Sequence, residues 1–261
     1  MVRNFGWMAL ICGTALAACG DGSGDIGSIA TPQGRLWGAR FAPDGDVLAI
    51  AYGDENKIGT IDLDARTLRE LTPGGTYLTG TAWSPAGDLI YFNGADGIGR
   101  ITRDIGQTTM VNGAFATLGI DVSPDGTRLA YGVNCGNARV YTLAGGTERA
   151  LDRPCQAIRF APFGDRVACI SGGELVLIEL ATEAVSVLVD RDVPFIAGLD
   201  WYADGQSLLF TSTDGIERVT LAGERDLIHG AFAASEVDLS ADERSMVIGI
   251  NGHDDLTLVR F

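Results

Sequence analysis

The chain has 261 residues, room for one large domain or two small ones, with 46% hydrophobic residues and 36 glycines against 8 prolines. A formal net charge of −15 excludes the basic footprint that nucleic acid or an anionic membrane surface requires. Abundant glycine without low-complexity tracts points to many tight turns, and so to an all-β protein of short strands.

Residues 1–18 read as separate from the fold. Arg3 provides a positive start, and Phe5 to Ala18 is an apolar stretch without charge. It is short for a bilayer span and has the shape of a signal-peptide hydrophobic region. It ends in Leu16-Ala17-Ala18-Cys19, which resembles a bacterial lipobox. That resemblance implies cleavage before Cys19 and a diacylglycerol on its thiol. Residues 19–25 then form a lipidated Gly/Ser/Asp tether. Gly20 rather than Asp follows Cys19, which in enterobacterial lipoproteins would permit sorting to the outer membrane. The expected location is lipid-anchored and periplasm-facing, with no other membrane contact.

From residue 26 the chain repeats. Phe41-Ala-Pro-Asp-Gly45, Trp83-Ser-Pro-Ala-Gly87, Val122-Ser-Pro-Asp-Gly126 and Phe160-Ala-Pro-Phe-Gly164 are versions of one motif. Trp201-Tyr-Ala-Asp-Gly205 and Leu239-Ser-Ala-Asp-Glu243 are weaker copies, and successive spacings are 42, 39, 38, 41 and 38. A period of about 40 residues fits four short strands, one propeller blade. Within the motif, Ser stands at i, Pro at i+1 and Gly at i+3 of a type I turn. An apolar strand follows each turn, as in Val47 to Ala51 and Val167 to Ile170. A third, alternating strand comes next (Lys57 to Leu63, Leu175 to Leu180). A polar fourth strand ends the unit (Thr67 to Leu71, Thr147 to Leu151), as suits an exposed outer edge. The sixth copy stops after its third strand. Residues 26–31, similar to Leu68-Arg-Glu-Leu-Thr-Pro-Gly74, are expected to supply the missing outer strand and close the ring.

The repeat resembles the WD40-like repeats of TolB-type propellers, whose units run aromatic-Ser-Pro-Asp-Gly, an apolar strand, and a polar strand ending in Leu-Thr, as Leu71-Thr72 does here. The resemblance covers residues 26–261 and implies a six-bladed β-propeller of four-stranded antiparallel blades. It departs from TolB in having no room for an N-terminal α/β domain, so TolB's partners do not transfer.

Catalytic motifs are sparse. His229 and His253 are the only histidines, and no zinc-protease, nucleophile-elbow or Walker pattern occurs. No catalytic residue, metal or cofactor is assigned. The residue before each motif is Arg40, Ala82, Asp121, Arg159, Asp200 and Asp238. These charges are expected to line the central channel, either as salt bridges between blades or as a ligand-receiving surface. Acidic turn clusters (Asp54-Glu55-Asn56, Asp192, Asp254-Asp255) read first as solvated turns, with a Ca²⁺-dependent lactonase-like or glycan-acting channel as the alternative. A small-ligand sensor is a third possibility. Trp37, Tyr77, Phe115, Phe195 and Phe232 recur just before the inner strands, as partner-face anchors or as caps on blade packing. Cys135 and Cys155, in loops of neighbouring blades on one face, are expected to form a disulfide, and Cys169 to stay a buried free thiol. The leading function is a monomeric, non-catalytic scaffold for a protein or peptide partner in the cell envelope.

Overall fold

The computed structural model describes residues 26–30, 36–53, 57–72, 78, 80–113, 118–194, 197–230, 234–250 and 255–261. They form six four-stranded antiparallel sheets. Strand β1 (Ile26–Ala30) precedes the first blade, which is β2 (Leu36–Phe41), β3 (Val47–Tyr52), β4 (Lys57–Asp62) and β5 (Thr67–Glu70). The second is β6 (Gly80–Trp83), β7 (Leu89–Gly94), β8 (Gly97–Thr102) and β9 (Thr108–Asn112). The third is β10 (Leu118–Val122), β11 (Arg128–Val133), β12 (Gly136–Thr142) and β13 (Thr147–Ala150). The fourth is β14 (Ala157–Phe160), β15 (Arg166–Ser171), β16 (Glu174–Glu179) and β17 (Val185–Val189). The fifth is β18 (Leu199–Trp201), β19 (Ser207–Thr211), β20 (Ile216–Thr220) and β21 (Arg225–His229). The sixth is β22 (Ala234–Leu239), β23 (Ser245–Ile250) and β24 (Asp255–Arg260), completed by β1. Ile26 pairs with Val259 and Ile29 with Leu256, so the ring is closed as the truncated sixth repeat requires.

The motif is a turn in all six copies. Gly45, Gly87, Gly126, Gly164, Gly205 and Glu243 each donate their N–H to the carbonyl three residues earlier, at 2.8–2.9 Å. The last of these residues is left-handed (φ of 70° at Gly126), and in the sixth copy Glu243 holds the same conformation without being glycine. Where Ser opens the motif, its hydroxyl accepts the N–H five residues on: Arg128 to Ser123 at 2.9 Å and Ser245 to Ser240 at 3.0 Å. The proline has a second use. A Cβ on Gly87 would stand 3.5 Å from Pro43, on Gly126 3.5 Å from Pro85 and on Gly164 3.5 Å from Pro124. Each turn therefore stacks on the proline of the preceding blade.

The core lies between blades, not within them. In β3, Leu48 and Ile50 face the sixth blade, packing with Val247 and Leu256, while Ala49 and Ala51 face Trp83 and Phe92 of the second. Likewise Ala157, Ala161 and Ala168 of the fourth blade receive Trp201 and Phe210 of the fifth. Large residues on one sheet thus fill the space left by alanines on the next, giving interior packing density without strain. The outer strands β5 and β13 are largely exposed, matching their polar sequences.

Candidate functional site

The six inner strands β2, β6, β10, β14, β18 and β22 contact one another in sequence and close on β22 and β2, framing the channel. Their mutual approach is set two residues before the charged ring position. There the blades carry Gly38, Gly80, Gly119, Ala157, Gly198 and Glu236. A Cβ on Gly38 would lie 3.4 Å from the backbone of Gly80, and on Gly119 3.1 Å from that of Ala157. Small residues let each inner strand ride against its neighbour.

The ring positions fall on the inner strands, and each of their carboxylates makes a joint with the following blade. Asp121 accepts the Phe160 N–H at 2.7 Å, Asp200 accepts that of Leu239 at 2.8 Å, and Asp238 accepts that of Phe41 at 2.7 Å. Asp238 also pairs with Arg40, both side chains 9% exposed. Arg159 donates to the carbonyls of Ile158 at 2.7 Å and Ile120 at 3.4 Å, and its Nε has no acceptor among the described residues. The carbonyls of Arg40 and Arg159 in turn accept the indole N–H of Trp83 and Trp201 at 3.0 and 3.3 Å. The charges therefore couple strands that backbone ladders cannot reach.

Electrostatically the ring is unbalanced. Burial pushes the Asp121 carboxyl up to about 7, against the pull of Arg40 and the Phe160 N–H. Burial and the neighbouring Asp238 push Asp200 up to about 7. Asp238 is itself raised by burial, which outweighs Arg40. The guanidinium of Arg40 is raised further still, because Asp238, Glu236, Asp200 and Asp121 together outweigh its desolvation. Asp121 and Asp200 are half-buried on inner strands. Glu236 belongs to this group and was not singled out by the motif spacing. It accepts no hydrogen bond among the described residues, and burial pushes it up to about 7. Its signal in the sequence is a carboxylate at the position where every other blade has Gly or Ala.

Two sequence expectations about cysteine are corrected. Cys155 is bonded to Cys169, with Cα atoms 5.5 Å apart, and Cys135 is free and exposed. The Cys135–Cys155 disulfide is therefore absent, and Cys169 is not a free thiol. Cys135 sits in the tight β11–β12 turn with φ of 56°, directed to solvent. Cys155 and Cys169 are fully buried in the layer between the third and fourth blades, with Ala138, Leu151 and Ile158. Register decides the outcome: Ile158 lies opposite Cys169 in the β14–β15 pair, so the chain entering β14 crosses that same layer.

Of the rim aromatics, Tyr77, Phe115, Phe195 and Phe232 lie outside the described residues, as do Cys19 and the side chain of Trp37. Asp54, Glu55, Asn56 and Asp254 lie outside them too. Asp192 is paired with Arg225 at 2.8 Å and accepts the Thr213 hydroxyl at 2.9 Å. His229 is on β21, an outermost strand, whereas the ring carboxylates are on innermost strands, and burial lowers its pKa. Among the described residues no group of three or more His, Cys, Asp or Glu side chains is placed to hold a metal ion. A cleft of about 450 Å³ lies on the motif-turn face at the seam of the first and sixth blades, between Phe41, Asp44, Leu63, Ser240, Asp242 and Arg260.

No family model matches the chain, and no curated protein does. Solved propellers are similar in fold. A chain in the crystal structure of a nidogen/laminin complex matches with a TM-score of 0.65 at 18% identity, over 74% of this chain and 80% of that one. The β-propeller domain of Cps50 (Swd1) from Myceliophteria thermophila matches with 0.65 at 13% identity, over 89% and 98%. A chain of the mitotic checkpoint complex matches with 0.67 at 14% identity, over 100% and 98%. At these identities the likeness shows the fold alone.

Proposed function

We propose that the chain is a cell-envelope lipoprotein, tethered through Cys19, whose TolB-like propeller is a non-catalytic platform for a protein or peptide partner. The observation that carries this reading is the use made of the ring charges. Asp121, Asp200 and Asp238 each hold a backbone N–H of the next blade, and Arg40 and Arg159 hold a carboxylate or carbonyls. Groups engaged in this way stiffen the ring, and a stiff ring presents its rim loops at low entropic cost on binding. Two of the similar propellers come from structures of protein complexes, which supports the same direction. The partner face in this reading is built on the sequence segments between each fourth strand and the next inner strand, which carry Tyr77, Phe115, Phe195 and Phe232.

The test is co-purification from envelope extracts with the full chain, with and without alanine at those four positions. The expected result is a stoichiometric partner protein lost in the variant. Retention of every companion by the variant, or lactone or glycan hydrolysis by the pure protein, counts against the reading. Anchoring is checked separately: Cys19→Ser abolishes fatty-acid labelling if the lipobox is used, and undiminished labelling removes it.

A further inference from the structure

We propose that the central channel is a proton-responsive fastener of the ring, in which charging the lining carboxyls loosens the joints between the fifth, sixth and first blades. Four carboxyls meet there: Asp121 on β10, Asp200 on β18, and Glu236 and Asp238 on β22. The cations facing them are Arg40 on β2 and Arg159 on β14, while β6 contributes the uncharged Ala82. Strands β19 and β23, packed behind β18 and β22, carry no titratable side chain. Arg40 is engaged with Asp238, and Arg159 bonds main-chain carbonyls, so no cation among the described residues is dedicated to Asp121, Asp200 or Glu236. Like charges in a shared, poorly solvated space disfavour joint ionisation.

The arrangement concentrates the effect at one seam. Asp200 joins the fifth blade to the sixth through Leu239, and Asp238 joins the sixth to the first through Phe41 and Arg40. Glu236 stands two residues from Asp238 without a hydrogen bond of its own among the described residues. With Glu236 and Asp200 protonated, Arg40 serves Asp238 alone. With both ionised, three carboxylates compete for one guanidinium, and the joints on either side of the sixth blade weaken.

The direction follows from linkage. Glu236 and Asp200 titrate near 7 in the folded chain and near their ordinary carboxyl values, 4.5 and 3.8, when unfolded. The folded state therefore binds more protons in between, and stability is full below the unfolded values and lost as pH rises toward and through 7.

The experiment follows thermal unfolding of the full chain from pH 5 to pH 8, together with amide exchange at Leu239 and Phe41. The wild-type melting temperature is expected to fall by about 5 °C or more across this range. Exchange at the two joint amides, corrected for intrinsic base catalysis, is expected to rise about tenfold, one pKa unit's worth of opening. Glu236→Gln should match wild type at pH 5, melt higher than wild type at pH 8, and suppress the gain in exchange. The wild-type-minus-variant difference also cancels His229, whose burial produces the opposite slope. Asp200→Asn, which keeps an oxygen for the Leu239 N–H but gives up the Trp201 N–H that the other carboxylate oxygen accepts at 2.8 Å, is the second variant; it should start lower at pH 5 and flatten the profile likewise. A wild-type profile that is flat or rising from pH 5 to pH 8, joint amides that exchange no faster, or variants that keep the wild-type slope would each overturn the proposal.

Discussion

Gly198 and Gly45 occupy inner-strand and turn positions of their blades under different constraints. A Cβ on Gly198 would fall 2.2 Å from the Val237 amide nitrogen, so even alanine forces the fifth and sixth inner strands apart. Gly45 has open space around it and only its φ of +82° to satisfy. Gly198→Ala should destabilise by about 3 kcal/mol, as overpacking of a tight contact does. Gly45→Ala should cost about 1 kcal/mol, the left-handed penalty alone. Chemical unfolding of the two variants checks this, and similar values would show that strand approach is not the constraint. The Cys155–Cys169 bond, with a sequence separation of 14, should contribute about 3 kcal/mol through loop closure. Without reductant, alkylation of the folded chain should mark Cys135 and neither Cys155 nor Cys169. The choice of partner was hidden from the sequence because loop position alone placed Cys135 and Cys155 on one rim. Inward or outward direction depends on the turn at Asn134-Cys135 and the register of β14 on β15, neither of which a repeat period contains.

At the scale of the strand and turn, the six motif copies carry almost all the legible information. Proline and glycine announce the turn, and the packing of Gly87, Gly126, Gly164 and Gly205 against the proline of the preceding copy explains why the two recur together. The fifth and sixth copies read weakly because Ala203 and Ala241 replace the proline. Gly205 still meets Pro162 of the fourth copy as well as Phe163, whereas Ala203 is met by Glu243, whose Oε1 accepts the Ala203 N–H at 2.6 Å, and Gly45, which follows Ala241 round the ring, has open space around it. The ring charges were legible as a break in an apolar alternation. Their joints were not, since each bond spans about 40 residues in sequence or the full circuit of the ring. Strand β1 is the clearest case of an element inferred from a deficit. Ile29 is 4% exposed and packs with Leu36, Leu256 and Leu258. Removing residues 26–30 deletes a ladder worth roughly 0.5–1.5 kcal/mol per hydrogen bond and uncovers the edge of β24. A shortened chain should melt well below the parent and associate through that edge, and light scattering with calorimetry would detect both. An unchanged melting temperature would mean that the ring is held by the channel joints alone.

The whole molecule reads as two related halves of three blades. Arg40 and Arg159, Trp83 and Trp201, and Asp121 and Asp238 occupy equivalent positions three blades apart, and the indole-to-carbonyl and carboxylate-to-amide joints repeat with them. The halves diverge where Ala82 corresponds to Asp200 and Gly119 to Glu236, so the excess carboxyls fall on the fifth and sixth blades. Acids elsewhere behave in the opposite way. Asp125 is held at about 2 by the Ser123 hydroxyl and the Thr127 amide. Asp242 is lowered by Ser240, and Asp192 and Glu217 by Arg225. A depressed carboxyl contributes stability above its unfolded pKa that disappears as pH falls through the folded one, whereas the raised channel carboxyls contribute stability that disappears as pH rises. The two sets leave a maximum between them. Stability should therefore peak near pH 5, decline below about pH 4 as the turn carboxylates protonate, and decline again toward pH 8 as the channel ionises. This places the optimum close to the sequence pI of about 4.4, where net repulsion is least and solubility poorest. Melting temperatures from pH 2.5 to 8.5 at dilute protein concentration would trace both limbs. A profile that climbs without a break to pH 7 would show that the channel carboxyls ionise freely in the folded ring.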